Sequence, residues 1–205
     1  MFERPRGPPV TTGTEAFATA LDGFEGVLRD VEEHEWNSVT PCDPWTARDV
    51  AGHVIGGVRW AAALIAGSDT LDTIREEGFS NPGSLAGPDP VAAWVAARSQ
   101  LRDAIETAGP EKVLSWPFGE QTVDTGLGWF SLEVLVHSWD LARAKGIDFR
   151  LDPELVHEHL VRLRPIGRYL RGPGGYGPEL DAAAGADEQD QLLAFLGRRS
   201  TALEA

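Results

Sequence analysis

The sequence predicts an all-α fold, an up-and-down bundle of four long helices with long crossover loops and a short helical extension at the C-terminus. Apolar residues recur at spacings of three and four over several long stretches, which is the pattern of helices that bury one face. Gly and Pro cluster between those stretches, where they interrupt helices. With 205 residues, of which 42% are hydrophobic, the chain can bury one sizeable core.

The first predicted helix begins at Thr14 and ends near residues 34–36, after an irregular arm, residues 1–13, that is rich in Pro, Gly and Thr. The apolar positions of this helix are Phe17, Leu21, Phe24, Leu28 and Val31. The second helix spans residues 47–66, and Thr46 with Asp49 resembles a capping box at its start. Three glycines inside it each cost about 1 kcal/mol relative to Ala, so we expect close helix packing there. They are Gly52, Gly56 and Gly57.

The remaining elements are separated by turn-forming segments. Residues 67–88 are interpreted as a loop, and Asp89 caps a third helix that stops at Gly109. The connection over residues 111–128 could hold short extended pieces at 116–120 and 122–126, and the fourth helix spans residues 129–145. A fifth helix follows Asp152-Pro-Glu and reaches about Tyr169. The bundle domain is therefore predicted over residues 14–170, and residues 171–205 are a Gly/Pro-rich linker with a short amphipathic helix at 187–197.

Composition excludes several classes of function. The formal charge of −14, from 18 basic and 32 acidic residues, argues against nucleic acid as a partner, because such binding draws on clustered Lys and Arg. No apolar stretch is long enough to span a membrane. Cys42 is the single cysteine, which excludes an internal disulfide and fits a reducing compartment. The N-terminal residues lack the apolar core of a signal peptide, so we expect a cytoplasmic protein.

Three polar residues of the fourth helix are the strongest candidates for chemistry. Glu133, His137 and Asp140 are four and three residues apart, so they lie along one stripe of a helix whose other residues are mostly apolar. Burying a carboxylate and an imidazole is costly unless a partner satisfies them, and a metal ion is one such partner. His53 lies in another apolar helix. Two ligands from one helix and one from its neighbour would leave a coordination position open, as in catalytic zinc, nickel or iron sites.

Simpler interpretations of the same residues remain open on spacing alone. Glu133 and His137 can be a plain i,i+4 helix pair, His53 a histidine satisfied in the core or at the surface, and Asp140 a solvated carboxylate. His157 and His159 are two residues apart, so they point to different faces of a helix. Cys42 has no partner constellation in the sequence, and no phosphate-binding loop, dinucleotide fingerprint or nucleophile elbow is present. Trp45, Trp129 and Trp139 could line a cavity.

Two longer motifs resemble a known family. They are Thr40-Pro-Cys-Asp-Pro-Trp-Thr-Ala-Arg-Asp-Val-Ala-Gly-His53 and Glu133-Val-Leu-Val-His-Ser-Trp-Asp-Leu-Ala142. Together they resemble the DinB-like superfamily, in the branch similar to the metal-binding N-terminal domain of mycothiol-dependent maleylpyruvate isomerase. The tail over residues 172–198 is also similar to this branch. The resemblance implies a four-helix bundle that binds one divalent metal, usually zinc, through His53, Glu133 and His137.

The resemblance also implies an activity. Enzymes of this superfamily use a low-molecular-weight thiol, mycothiol or bacillithiol, which the metal holds as a thiolate. We therefore expect a thiol-dependent transferase or isomerase that acts on a small electrophile, either as a monomer or as a homodimer. Asp140 would orient a ligand from behind, and Arg59 or Arg143 would hold a carboxylate of the cofactor or substrate. The alternative is a non-catalytic metal-binding bundle, a stress-related sensor or sequestering protein.

Overall fold

The computed structural model describes residues 11–171 and 176–199, and helices dominate this part of the chain. Most of the predicted N-terminal arm, residues 1–10, and parts of the predicted linker and tail, residues 172–175 and 200–205, lie outside the described residues. The α-helices are α1 Gly13–Arg29, α2 Ala47–Ala66, α3 Leu71–Ser80, α4 Pro82–Leu85, α5 Pro90–Ala108, α6 Val123–Ala144, α7 Pro153–Leu163 and α8 Glu188–Phe195. Short 3-10 helices cover Glu33–Asn37 and Arg164–Tyr169. The all-α prediction is confirmed.

Helices α1, α2, α5 and α6 form the four-helix bundle. Helices α1 and α6 run parallel, because the Asp124 carboxylate accepts from Gly13 N at their starts while Lys145 donates to Asp30 O at their ends. Helix α2 runs antiparallel to α6. The long crossover over α3 and α4 returns the chain, so that α5 begins beside the start of α2, where Arg48 donates to Gly87 O.

The core lies between the four long helices and is built from the predicted apolar faces. Phe24 of α1 and Trp94 of α5 are fully buried, with ring centroids 4.8 Å apart. Burying a large apolar side chain contributes about 2–3 kcal/mol, so contacts of this kind fix the helices against one another. The capping box predicted for α2 is present, because Thr46 N donates to Asp49 Oδ2 over 3.0 Å and Asp49 N donates to Thr46 Oγ1 over 3.3 Å.

The sequence prediction was wrong in two connections. Residues 67–88, interpreted as a loop, contain helices α3 and α4, and α6 begins at Val123 rather than near 129. Helix α3 is largely exposed and is held by its packing on α2. Its sequence therefore lacks the apolar periodicity from which a helix could be predicted. Two short strands do form within 111–128, as an antiparallel hairpin of β1 Val113–Trp116 and β2 Gly119–Thr122. They are shifted from the expected pieces at 116–120 and 122–126, because residues 117–118 form the turn and helix α6 begins at Val123.

The C-terminal segment returns to the bundle. Helix α8 packs against α7, and its side chains Leu192, Leu193 and Phe195 are buried. Gln189 accepts from Leu151 N over 2.8 Å and donates to Phe149 O over 3.1 Å. The short helix predicted at 187–197 is therefore an integral layer of the fold. Among the described residues, no helix is both long and apolar enough to cross a lipid bilayer.

A buried histidine lies between α6 and α7. His159 is 1% exposed, and its Nε2 lies 2.9 Å from Ser131 Oγ. Ser131 donates its own proton to Gly128 O, so Nε2 of His159 is the donor. Nδ1 has no partner among the described residues. Burial, with a further contribution from the charge of Arg162, lowers the pKa of His159 to about 4.

This histidine is expected to make the fold sensitive to acid. Its pKa is lower in the folded state than in the unfolded chain, where it is about 6.5. Its contribution to stability is therefore complete above pH 6.5 and falls as the pH drops toward 4, by about 3 kcal/mol in total. Chemical denaturation between pH 8 and pH 4.5 should show a steeper loss for the wild type than for His159→Gln, which keeps a donor to Ser131 but does not titrate. Parallel curves would contradict the assignment.

Candidate metal centre

Helices α2 and α6 bring three potential ligands together. His53 lies on α2, and Glu133 and His137 lie one turn apart on the antiparallel α6. Glu133 Oε2 lies 3.5 Å from His137 Nε2 and 3.9 Å from His53 Nε2, and one ligand atom from each of the three falls within 4.8 Å of the others. Donors around a tetrahedral zinc ion lie about 3.3–3.5 Å apart. The donor types therefore fit a divalent transition metal, the 3.5 Å separation matches this spacing, and the 3.9 Å separation is slightly wider.

The hydrogen bonds behind the two imidazoles orient their ligating nitrogens. His53 Nδ1 lies 3.0 Å from Gly78 O, and His137 Nδ1 lies 2.9 Å from Asp140 Oδ2. A carbonyl or an ionised carboxylate only accepts, so both Nδ1 atoms carry the proton. Each Nε2 then faces Glu133, to which it can donate when the ring is protonated and beside which it would offer its lone pair to a metal ion. Second partners of this kind fix the tautomer in metal sites.

Asp140 is fully buried and paired on two sides. Arg198, which follows α8, donates from Nη2 to Oδ2 over 2.9 Å and from Nε to Oδ1 over 3.3 Å. Burial alone would raise the pKa of Asp140, but the charge of Arg198 and the hydrogen bond from His137 hold the pKa below its usual range. In the same way burial would lower the pKa of His137, but the hydrogen bonds to Asp140 and Glu133 raise it.

Glu133 also has a partner outside the triad. The hydroxyl of Tyr176 donates to Glu133 Oε1, which leaves Oε2 facing the two histidines. Although burial works in the opposite direction, hydrogen bonds with His137 and His53 hold the pKa of Glu133 well below its usual range. Burial and the neighbouring charge of Glu133 raise the pKa of Tyr176, so this phenol is a neutral donor. Sequence reasoning missed both Tyr176 and Arg198.

Aromatic side chains line the approach to the triad. The rings of Trp45 and Phe79 lie 4.5 and 5.5 Å from the His53 ring, centroid to centroid. Further along the same two helices, Trp60 of α2 stacks on Phe130 of α6 at 5.4 Å. Of the tryptophans proposed to line a cavity, Trp45 is thus beside the triad. The other two, Trp129 and Trp139, are covered by the guanidinium groups of Arg162 and Arg143.

Cys42 lies behind His137. Its Sγ is 3.7 Å from Arg198 Nη2 and belongs to a second close group of potential ligands with His137 and Asp140. Burial and then the charge of Asp140 raise the pKa of the Cys42 thiol to about 11. The side chain is therefore a neutral thiol at physiological pH, and an unactivated thiol is a poor nucleophile.

The two arginines expected to hold a carboxylate point in other directions. Arg59 and Arg143 each lie six residues after a triad histidine. Each arginine side chain is therefore rotated by about a third of a turn from that histidine around the helix axis. Arg59 Nη1 lies 3.5 Å from Leu85 O and lines a groove between α2 and α5. The Arg143 guanidinium lies 5.7 Å from the Trp139 ring centroid. Ligand binding by either arginine stays a prediction.

Comparison with known proteins agrees with this architecture. The model of the family described as the mycothiol maleylpyruvate isomerase N-terminal domain matches residues 17–142, a span that includes the whole triad. The chain belongs to this family. The family resemblance predicted from the two sequence motifs is therefore confirmed.

One relative and one solved structure extend the comparison. An uncharacterized protein of Mycobacterium tuberculosis, found in strains CDC 1551 and H37Rv, is 34% identical over 190 residues, which cover 89% of this chain and 96% of the relative. The crystal structure of the mycothiol-dependent maleylpyruvate isomerase superposes with a TM-score of 0.62 at 14% identity, covering 78% of this chain and 73% of that one. At this identity the likeness establishes the fold.

Proposed function

We propose that this protein binds one divalent metal through His53, Glu133 and His137 and acts as a thiol-dependent transferase or isomerase on a small electrophile. One observation carries the proposal: the Nε2 atoms of His53 and His137 both face one carboxylate oxygen of Glu133, at 3.9 and 3.5 Å, close to the spacing of donors around a metal. Zinc suits two imidazoles and a carboxylate best, and nickel or iron would accept the same donors.

The charges around the triad favour an anionic fourth ligand. Glu133 and Asp140 are negative, Arg198 is positive and Tyr176 is neutral, so with neutral imidazoles the cluster carries one net negative charge. A divalent cation reverses this to one positive charge, which a single thiolate neutralises. A metal held at the triad would lower the pKa of a bound thiol so that the thiolate exists at neutral pH. Mycothiol is the first candidate, because the structural neighbour is described as mycothiol-dependent; bacillithiol is the second.

The surrounding residues suit a small organic substrate. Trp45 and Phe79 shield the His53 ring from water, and Trp60 with Phe130 offers a partly exposed aromatic face along the same helices. Such a mixture of apolar walls and few polar groups is typical of small-molecule sites. In a transfer the thiol sulfur would bond to the electrophilic carbon while a leaving group departs with the electron pair and the thiol proton passes to solvent. In an isomerisation the sulfur would add and leave again, so the thiol is regenerated. A pool of reduced thiol also implies a cytoplasmic setting.

One observation favours the second candidate, a non-catalytic metal-binding protein. Cys42, His137 and Asp140 form a second close group of potential ligands, which a protein that only holds metal could use without any external thiol. The two functions differ in whether an external thiol binds.

Addition of the correct thiol to metal-loaded protein is expected to raise the melting temperature. A ligand at 100 times its Kd stabilises by about 2.7 kcal/mol, or roughly 5–10 °C for a domain of this size. Thermal-shift measurements with mycothiol and bacillithiol should be paired with their S-methylated forms, which cannot become thiolates and should produce no shift. Turnover would be followed with maleylpyruvate and a chloro-nitrobenzene. If no thiol shifts the melting temperature and no electrophile is consumed faster than with His137→Ala, catalysis is excluded and the metal-binding function alone stands.

A further inference from the structure

The C-terminal segment, residues 176–198, places two side chains beside the triad: Tyr176 contacts Glu133, and Arg198 contacts Asp140, the partner of His137. Arg198 is separated from Asp140 by 58 residues along the chain, yet it is only 7% exposed and binds both oxygens of that carboxylate. Asp140 in turn accepts from His137 Nδ1 over 2.9 Å. A chain of charge-assisted hydrogen bonds therefore runs from the C-terminal segment to a triad histidine.

An arginine is suited to this position because its planar fork can fix a carboxylate in one orientation. Asp140 needs a cationic partner, since a buried carboxylate without one is costly. With both oxygens engaged by Arg198, Asp140 is held so that Oδ2 faces His137. The ring of His137 is then fixed with Nε2 toward Glu133 and His53.

Tyr176, at the other end of the same segment, forms a second link. Its hydroxyl donates to Glu133 Oε1, and its ring lies 5.5 Å from the guanidinium of Arg198. Two of the three triad side chains are therefore oriented from the segment between Tyr176 and Arg198. By thermodynamic reciprocity, whatever tightens the triad also tightens the docking of the segment.

We propose that Arg198 is a positioning residue that acts on His137 through Asp140, and that docking of the Tyr176–Arg198 segment is coupled to metal binding at the triad. The coupling rests on the proposed metal-binding function. The segment also has anchors that are independent of the triad, namely the buried leucines of α8 and the two hydrogen bonds of Gln189. Substitutions at Arg198 should therefore alter the metal centre while the bundle stays folded.

The test compares Arg198→Met, Arg198→Lys and Tyr176→Phe with the control Arg150→Met. Arg150 pairs with Asp187 of the same segment but is 62% exposed and remote from Asp140 in its contacts. Zn²⁺ affinity would be measured by chelator competition, and the ligand geometry by the visible spectrum of the Co²⁺-loaded protein. Loss of an outer-shell partner typically weakens metal affinity about 10- to 100-fold. We expect that loss for Arg198→Met, a partial rescue for Arg198→Lys, a smaller loss for Tyr176→Phe and no change for Arg150→Met.

Hydrogen exchange supplies a readout of the coupling in the other direction. Zn²⁺ should slow amide exchange over residues 188–198 in the wild type and in Arg150→Met, but much less in Arg198→Met. A wild type that binds zinc, together with an Arg198→Met variant whose affinity lies within twofold and whose Co²⁺ spectrum is unchanged, would overturn the positioning role and leave the proposed function intact. A wild type that binds no zinc would overturn both. If Arg198→Met fails to fold, Arg198→Lys and Tyr176→Phe decide between the same outcomes.

Discussion

Replacing His53 or His137 by Ala is expected to weaken zinc binding about 100-fold. Structural zinc sites bind with about 10–16 kcal/mol, so each of four ligands accounts for about 3 kcal/mol, which is about two powers of ten in Kd. Glu133→Ala should weaken binding at least as much. The negative charge of Asp140 is paired with Arg198, so Glu133 supplies the charge at the triad that offsets the ion. Chelator competition on the purified variants gives the affinities, and elemental analysis gives the metal content.

Two further variants test the specificity of these effects. Glu133→Gln keeps an acceptor for Tyr176 but removes the charge, so its affinity should fall close to that of Glu133→Ala. His34→Ala removes a histidine that is 79% exposed and should leave the metal content unchanged. A double variant, His53→Ala with His137→Ala, that retained a full equivalent of metal would refute the triad as the metal site.

The bundle could be predicted because its long helices carry their own signals. The apolar positions of α1 and the capping residues of α2 are local features, and each element follows from a few neighbouring residues. The helix predicted from about residue 129 begins six residues earlier, at Val123, in a stretch where Gly126 and Gly128 lower the intrinsic helix propensity. In the structure these glycines admit close neighbours, with Trp116 packed over Gly126 and the backbone of Gly13 against Gly128.

Only part of the candidate site could be predicted from local sequence patterns. Spacing places Glu133, His137 and Asp140 on one stripe, but it says nothing of which helix faces them. His53 was proposed as a histidine of another apolar helix and supported by the family resemblance, and the antiparallel placement of α2 against α6 explains the pairing. The roles of Arg198 and Tyr176 were not predicted, because a polar residue in a short or irregular segment has no periodic signal. Their roles depend on where the chain returns after α7.

The substitution Gly52→Ala is expected to destabilise the fold even though Ala is the better helix former. A Cβ at Gly52 would lie 1.8 Å from the carbonyl oxygen of Pro82, a backbone atom that cannot rotate away. Overpacking against a well-packed neighbour typically costs about 1–3 kcal/mol, and we expect about 3 kcal/mol here, or roughly 10 °C in melting temperature. The close helix packing expected from the α2 glycines is thus seen directly at this position.

The matched control for Gly52→Ala is Gly26→Ala. Gly26 is an exposed glycine inside α1, and no heavy atom lies within 4 Å of the place its Cβ would occupy. This change should stabilise the protein by about 1 kcal/mol through helix propensity alone. The two substitutions are chemically identical, so opposite signs in thermal or urea denaturation would isolate the contact with Pro82. Equal and positive shifts would mean that α4 does not approach α2 as closely as described.

The Gly52→Ala variant should also lose zinc affinity. His53 is the next residue, and its Nδ1 donates to Gly78 O on α3, which leads directly into α4. Displacing Pro82 would move the α3–α4 segment outward and weaken that hydrogen bond, so the His53 ring would lose the partner that fixes its tautomer. We expect an affinity loss of about tenfold, the lower end of the range for outer-shell changes. The loss should be absent in Gly26→Ala, since α1 carries no residue of the triad. Full zinc affinity in a folded but destabilised Gly52→Ala would show that the α3 carbonyl does not orient His53.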